Sequence, residues 1–388
     1  MRRPRSLSIV CAVVASVLSV PASSHAEEGG GYVAKTYPSE LKVSDGPEPV
    51  FAEDFENIEG DWVKLPDYVG ATGTTYTGSD YWTSVAACNG LILRYASPPT
   101  PRSGCGAYDE NDEAVENGAY YAPMAAGGEP SKANHAWTFW SDQPVTSGQV
   151  MLQSTSGIAV EPGGRFLRLG FDGVGMACSQ AHPALSFSLV DEGVDHPAFG
   201  AAIDPCADPA KTVANPPSGP VKVASYLSDV GVQVSAERVD LVLRNESDQS
   251  IGNDGGIDNL RIFDVTPSLS AAFDPAGPLK VWDIADLNFT VTNSDDALKK
   301  DGWGLETKLP PGMNVVDGAQ ATSTCAVGSI DAHQRKVNIS RGRLEADQAS
   351  CTITVPVTAR KAGTYTVGGE VTTTALNPAS PVSIEYED

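Results

Sequence analysis

Apolar and polar positions alternate in short runs along most of this chain. Leu185-Ser-Phe187-Ser-Leu189, Val239-Asp-Leu241-Val-Leu243 and Phe166-Leu-Arg-Leu-Gly-Phe171 set large apolar side chains on one side of an extended backbone. That period of two marks a strand with one face on a core. Runs at 51–55, 91–95 and 221–227 continue it, and beyond Pro267 the runs Leu287-Asn-Phe289-Thr-Val291 and Cys351-Thr-Ile353-Thr-Val355 are cleaner still. No stretch sustains a 3.6-residue period, and 38 Gly with 28 Pro work against long helices. The pattern therefore predicts an all-β chain: an N-terminal jelly-roll-like β-sandwich over residues 50–266, followed by a C-terminal Ig-like β-sandwich over residues 267–388. Residues 252–266 join the two. There Asn253, Asp254, Gly255 and Gly256 are expected to form a tight turn, and Ile257, Leu260, Ile262 and Val265 the strand that follows it. Residues 109–117, dense in carboxylates and without a core pattern, read as a solvated loop. Their spacing does not wrap oxygens around one calcium ion.

The first residues change where this fold is expected to work. A basic start to Arg5, an apolar run from Leu7 to Val20 and the small-x-small ending Ser24-His25-Ala26 read as a secretory signal peptide over residues 1–26. An extended lead-in over 27–49 follows. The expectation is a secreted or extracellular protein, held at a cell surface or released, since the chain ends at Asp388 without a sorting motif. A formal charge of −23, with no cluster of Lys and Arg, argues against nucleic acid as a partner, and no later segment is apolar enough for membrane insertion of the mature chain. Cys11 leaves with the signal. Cys88, Cys105, Cys178, Cys206, Cys325 and Cys351 remain, an even number in an exported chain. Their clustering selects the local disulfides Cys88–Cys105, Cys178–Cys206 and Cys325–Cys351.

Candidate chemistry is sparse. No GxSxG, HExxH or P-loop spacing occurs, no catalytic residue is assigned, and no enzyme activity is expected. Asp54 and Glu56 near the first strand and Asp258 on the last strand of the first sandwich offer hard oxygens to a structural calcium that would pin it shut. The competing reading makes Asp258 and Asn259 local turn formers. Trp62, Tyr81, Trp82, Trp137 and Trp140 are candidates to stack on the sugar rings of an extracellular glycan, although large aromatics of β domains more often pack in cores.

Several motifs follow one another in a familiar order: Pro267-Ser-Leu-Ser-Ala-Ala-Phe273-Asp-Pro275, Phe289-Thr-Val-Thr-Asn293, Leu309-Pro-Pro-Gly-Met313, Cys325, Cys351-Thr-Ile-Thr-Val355 and Ala362-Gly-Thr-Tyr365. In this the second domain resembles the Ig-like conserved-repeat domains of bacterial surface proteins, a domain of unknown function. The resemblance implies an extracellular β-sandwich used as a stalk, spacer or adhesive module. Ala271 stands where members often carry a lysine, so lysine-dependent crosslinking is not implied. The landmarks Glu53-Asp-Phe-Glu-Asn57, Asn134-His-Ala136, Arg165-Phe-Leu167, Arg244-Asn-Glu246 and Asp258-Asn-Leu-Arg261 are similar to the module that precedes such repeats in actinobacterial-type exported proteins. More loosely, they resemble jelly-roll carbohydrate-binding modules, in which a structural calcium often lies between the opening and closing strands. The expected function is a binding domain on an Ig-like spacer, in adhesion or surface structure, with an extracellular glycan or protein surface as partner. The alternative is a secreted carbohydrate-binding accessory module or a carbohydrate-active enzyme.

Overall fold

Strand Arg165–Met176 is buried along nearly its whole length on both faces, and the reason lies in what covers it. In the computed structural model, which describes residues 48–83, 89–96, 110–141, 145–160, 164–207, 209–217, 219–249, 252–368 and 371–388, this strand is central to a nine-stranded sheet. The sheet runs Lys211–Ala214, Val221–Leu227, Arg165–Met176, Asp254–Asp264, His135–Phe139, Leu91–Arg94 and Trp62–Lys64, with Pro49–Glu53 added on Asp254–Asp264 and Val232–Val234 on Arg165–Met176. One face packs on a six-stranded sheet ordered Val194–Pro197, Leu185–Asp191, Arg238–Asn245, Gln149–Ser154 and Tyr76–Thr77, with Ile158–Ala159 paired to Arg238–Asn245. Between them lie Phe55, Trp82, Trp137, Phe139, Phe171 and Phe187. The expected signal peptide, most of the lead-in and the Cys88–Cys105 pairing fall outside the described residues.

The other face of the large sheet is covered by a helix, Glu110–Tyr121, which corrects the expectation of a solvated loop there. Val115, Ala119 and Ala122 are fully buried against Leu91, Leu93, Val174 and Met176. The spacing is helical, but small alanines carry little apolar signal and Gly118 reads as a breaker. Gly118 is needed for contact instead: a Cβ there would come 2.5 Å from Met176 Sδ. The glycine pair is corrected in the same way. Gly255 and Gly256 lie inside strand Asp254–Asp264, and a Cβ on Gly255 would sit 2.6 Å from Val174 O and 2.7 Å from Phe139 Cζ.

Beyond Pro267 the alternation is obeyed almost residue by residue. Ser268–Asp274, Ile284–Thr292, Ser350–Ala359 and Met313–Val315 form one sheet, joined by Thr322–Ser323. Ser329–His333, Lys336–Leu344, Lys300–Lys308 and Val371–Thr374 form another, and Leu279–Lys280, Val382–Glu387 and Gly363–Val367 a third. Leu287, Phe289, Val291, Trp303, Ile353 and Val355 are wholly buried between them. Cys351 points inward with Ile353 and Val355 and is bonded to Cys325; Cys178 and Cys206 are bonded in the first sandwich.

The two cores meet at a hydrogen-bonded joint. Val265 N donates to Phe166 O at 2.8 Å and Phe166 N to Thr266 Oγ1 at 2.9 Å, while the Phe166 ring enters the second core. Asn377 donates its backbone N–H to Pro267 O and its side-chain amide to Thr266 O, and Arg165 pairs with both Asn377 and Asp264. Beside the joint Lys300 is fully buried, its Nζ 2.9 and 3.0 Å from the Asp296 oxygens. Burial lowers its pKa and Asp296 opposes that.

Candidate functional site

The acidic landmarks of the sequence gather where the first strand ends. After Glu53 the chain turns through Phe55, whose φ is +55°, and sends Glu56 toward strand His135–Phe139. Glu56 Oε1 accepts the His135 backbone N–H at 2.7 Å, and Oε2 lies 2.7 Å from His135 Nδ1. The neighbouring Asn134 donates Nδ2 to Asp258 Oδ2 at 3.0 Å. Asp258 faces Asp172 across the paired strands Asp254–Asp264 and Arg165–Met176. A bulge after Asp258, with Asn259 at φ +49°, aims Asn259 and Arg261 at Asp172: Asn259 Nδ2 is 2.9 Å from Oδ2 and Arg261 Nη2 is 3.2 Å from Oδ1. Ser225 Oγ also donates to Asp172. Glu53, next to this cluster in sequence, is closed by Phe55 N at 3.0 Å, Tyr68 OH at 2.7 Å and Tyr76 OH at 2.8 Å.

Burial pushes the Asp258 carboxyl well above its ordinary range; Asp172 and Glu56 add to the shift, and the Asn134 and Asn259 donors oppose it. Asp172, Glu53 and Asp54 are also raised by burial first, with their donors opposing. Calcium takes about six to eight oxygens at roughly 2.3–2.6 Å. The oxygens of Asp54, Glu56 and Asp258 are of the right chemistry but are not gathered into such a cage: Asp54 Oδ1 accepts Glu56 N at 3.1 Å, and the other two carboxylates are turned to His135 and to Asn134. Among the described residues, the one trio of His, Cys, Asp or Glu whose ligand atoms all lie within 4.8 Å is His182, Asp204 and Cys206, and there the sulfur is in the disulfide.

The aromatic candidates divide. Trp82 and Trp137 have no exposed surface, so they are corrected to core residues: Trp82 stands edge-on to Phe139, and Trp137 lies 5.2 Å from the same ring. Trp62 and Trp140 are partly buried against the helix-covered face, and Tyr81 is partly buried against the main core. These five do not form one stacking platform. Asn134, His135 and Arg261 lie within landmark runs of the sequence, but their role as partners of Glu56, Asp258 and Asp172 is set by contacts between distant strands. Nothing local marks Asp172.

A groove of about 390 Å³ opens on the smaller sheet of the same sandwich, lined by residues from Leu185–Asp191, Val194–Pro197, the loop after Pro197 and the end of Arg238–Asn245. None of the sequence candidates lines it. Among the described residues no helix is long and apolar enough to cross a membrane.

Residues 267–384 match a family model described as a domain of unknown function, DUF7933, in agreement with the resemblance seen in the sequence. No curated protein matches the chain. Similar solved structures include the major pilin subunit BcpA of Bacillus cereus, at 11% identity and TM-score 0.25, covering 53% of this chain and 65% of the pilin. The C-terminal domain of the AgI/II polypeptide BspA of Streptococcus agalactiae has 10% identity and TM-score 0.22, covering 64% of this chain and 96% of that domain. The collagen adhesin of S. aureus has 7% identity and TM-score 0.18, covering 63% and 96%. The chain spans less than two thirds of the pilin's length.

Proposed function

We propose that this chain acts outside a bacterial cell as a non-catalytic binding sandwich held on an Ig-like spacer, in adhesion or surface structure. The observation that carries the reading is the joint between the two cores. A spacer sets the position of a binding module only if the connection does not swivel, and flexible linkers leave domain orientation free. Here Phe166 crosses into the second core, and Arg165, Thr266 and Asn377 bond across the connection. Two disulfides suit an oxidising, extracellular setting. The buried carboxylates Glu53, Asp172 and Asp258 are each held by two or more donors, which suits a structural role better than a reacting pair. Calcium enters this reading as a brace that would require Asp54, Glu56 and Asp258 to re-aim.

The test is retention of the full chain on cell-wall polysaccharides and extracellular matrix proteins, with release of reducing sugar followed in the same tubes, in excess calcium and in chelator. Retention without release is expected; sugar release would overturn the non-catalytic reading. Small-angle scattering should fit one rigid particle, and a spread of interdomain angles would remove the spacer. Equal unfolding midpoints in calcium and chelator are expected for a cluster closed by its own hydrogen bonds. A bound cation at 100 times its dissociation constant would instead add about 2.7 kcal/mol.

A further inference from the structure

The groove on the smaller sheet is built from both halves of a recognition chemistry. Arg244 and Ser186 face each other across paired strands, and Pro197 faces Ser188 one strand further out. The Arg244 guanidinium makes two contacts to Asp195, Nη1 to Oδ1 at 3.3 Å and Nη2 to Oδ2 at 3.1 Å, which holds its plane in a fixed orientation. Glu246 is fixed from two sides, by Ser186 Oγ at 2.6 Å and Ser147 Oγ at 3.2 Å. The apolar part is also fixed. Phe199 rests on Phe171 at 5.9 Å and Phe187 at 6.0 Å, and its loop is tied down by Ala198 N to Phe187 O at 2.9 Å and by the paired Leu185 and Ile203 backbones at 2.8 Å. The walls are therefore organised before any ligand arrives, which lowers the cost of binding.

We infer that this groove, lined by Ser186, Asp195, Pro197, Phe199, Arg244 and Glu246, binds a neutral saccharide. Its volume of about 390 Å³ lies at the small end of the roughly 300–1,000 Å³ typical of small-molecule sites, a size for a short stretch of a glycan. Carboxylates accept from neighbouring hydroxyls, the guanidinium donates to hydroxyl or ring oxygens, and Pro197 with Phe199 meets the C–H face of a ring. Two carboxylates against one guanidinium leave the lining negative within a chain of formal charge −23, which disfavours phosphorylated, sulfated or uronic ligands. The proposal deepens the binding-module reading and rests on it, but has its own test.

The full chain is titrated with cellohexaose, xylohexaose and mannohexaose, and with an oligogalacturonate as the anionic control, by calorimetry and by amide chemical shifts. At least one neutral hexasaccharide should bind with a Kd of about 1 mM or tighter, with shifts centred on Ser186, Asp195, Arg244 and Glu246. Arg244→Ala and Glu246→Gln should each weaken it about 10-fold or more, as expected when a charged hydrogen-bonding partner is lost. The shift map on the unaltered chain keeps the test valid if a variant fails to fold. Absence of binding by every neutral hexasaccharide, shifts centred elsewhere, unchanged affinity in both variants, or preference for the oligogalacturonate would overturn the groove. Sugar release in the retention experiment would overturn the non-catalytic reading and leave the location of binding standing.

Discussion

The two sandwiches bury opposite kinds of interior. The first encloses Glu53, Glu116, Asp172, Asp191, Asp254 and Asp258, together with His135 and several amides and hydroxyls. The second, among its described residues, buries the Lys300–Asp296 ion pair beside the joint and Thr307, and its interior is otherwise largely apolar. Its strands Ile284–Thr292 and Ser350–Ala359 alternate inward and outward without a break, whereas Arg165–Met176 in the first is covered on both faces. Burying apolar area stabilises in rough proportion to that area, so an alternating strand needs little beyond its pattern. A buried polar group costs free energy unless its partners are in place, so the first sandwich depends on specific contacts between distant strands. The plain interior suits a spacer, and the polar one accompanies the groove and the acidic cluster.

The sharpest way to break this contrast is to remove one acceptor on which several donors depend. Glu53 is 2% exposed and takes bonds from Phe55 N, Tyr68 OH and Tyr76 OH. Glu53→Ala should cost on the order of 3–5 kcal/mol, because buried donors lose their acceptor together, and Glu53→Gln should cost less. Urea unfolding followed by tyrosine and tryptophan fluorescence reads the difference. A loss under about 1 kcal/mol would mean that the tyrosines find other acceptors and that the first core tolerates its polar groups as loosely as an apolar one.

The same contrast decides what was legible in the sequence. Alternation alone locates the second sandwich, and the inward position of Cys351 among Ile353 and Val355 leads to its bond with Cys325. In the first sandwich the strands are legible but their partners are not. Helix Glu110–Tyr121 escapes because its contact face carries one fully buried large apolar side chain, Val115, among alanine and glycine, and Gly255 with Gly256 imitate a turn because a packed strand needs no side chain there. The groove joins Ser186 and Asp195, on the paired strands Leu185–Asp191 and Val194–Pro197, to Glu246, which is distant in sequence and reaches them only through strand order. Glu56 lies close enough to Asp258 to raise its pKa, but Asn134 and His135 turn these two carboxylates to themselves and Asp54 turns back to the Glu56 backbone, contacts that no local pattern announces.

A smaller effect sharpens the picture through pH. Asp191 clamps a turn by accepting from Ser235 N at 2.6 Å, Ser235 Oγ at 2.8 Å and Ala236 N at 3.0 Å. Burial pushes its pKa up, but these donors outweigh it and hold the carboxyl below its ordinary value. With a native pKa under the unfolded value of about 3.9, its stabilisation is complete above that value and is lost as pH falls through the native one. Asp191→Ala should therefore cost about 2 kcal/mol at neutral pH and progressively less under acid, read from urea unfolding across a pH series. A cost independent of pH would show that packing, and not the charge, holds this turn.

The smallest change points the other way and tests the second sandwich on its own terms. Thr307 is 1% exposed, lies opposite Val337 and Val371, and its Oγ1 has no hydrogen-bond partner. In a core that depends on apolar area, an unpaired hydroxyl is a cost without a return. Thr307→Val keeps the branched shape and should raise stability by about 1 kcal/mol, seen as a higher urea midpoint at unchanged slope. The equivalent removal of a polar group in the first sandwich, Glu53→Ala, moves the midpoint down. If Thr307→Val moves it down as well, the hydroxyl is used in the second core, and the division between a polar and an apolar interior no longer separates the two halves of the molecule.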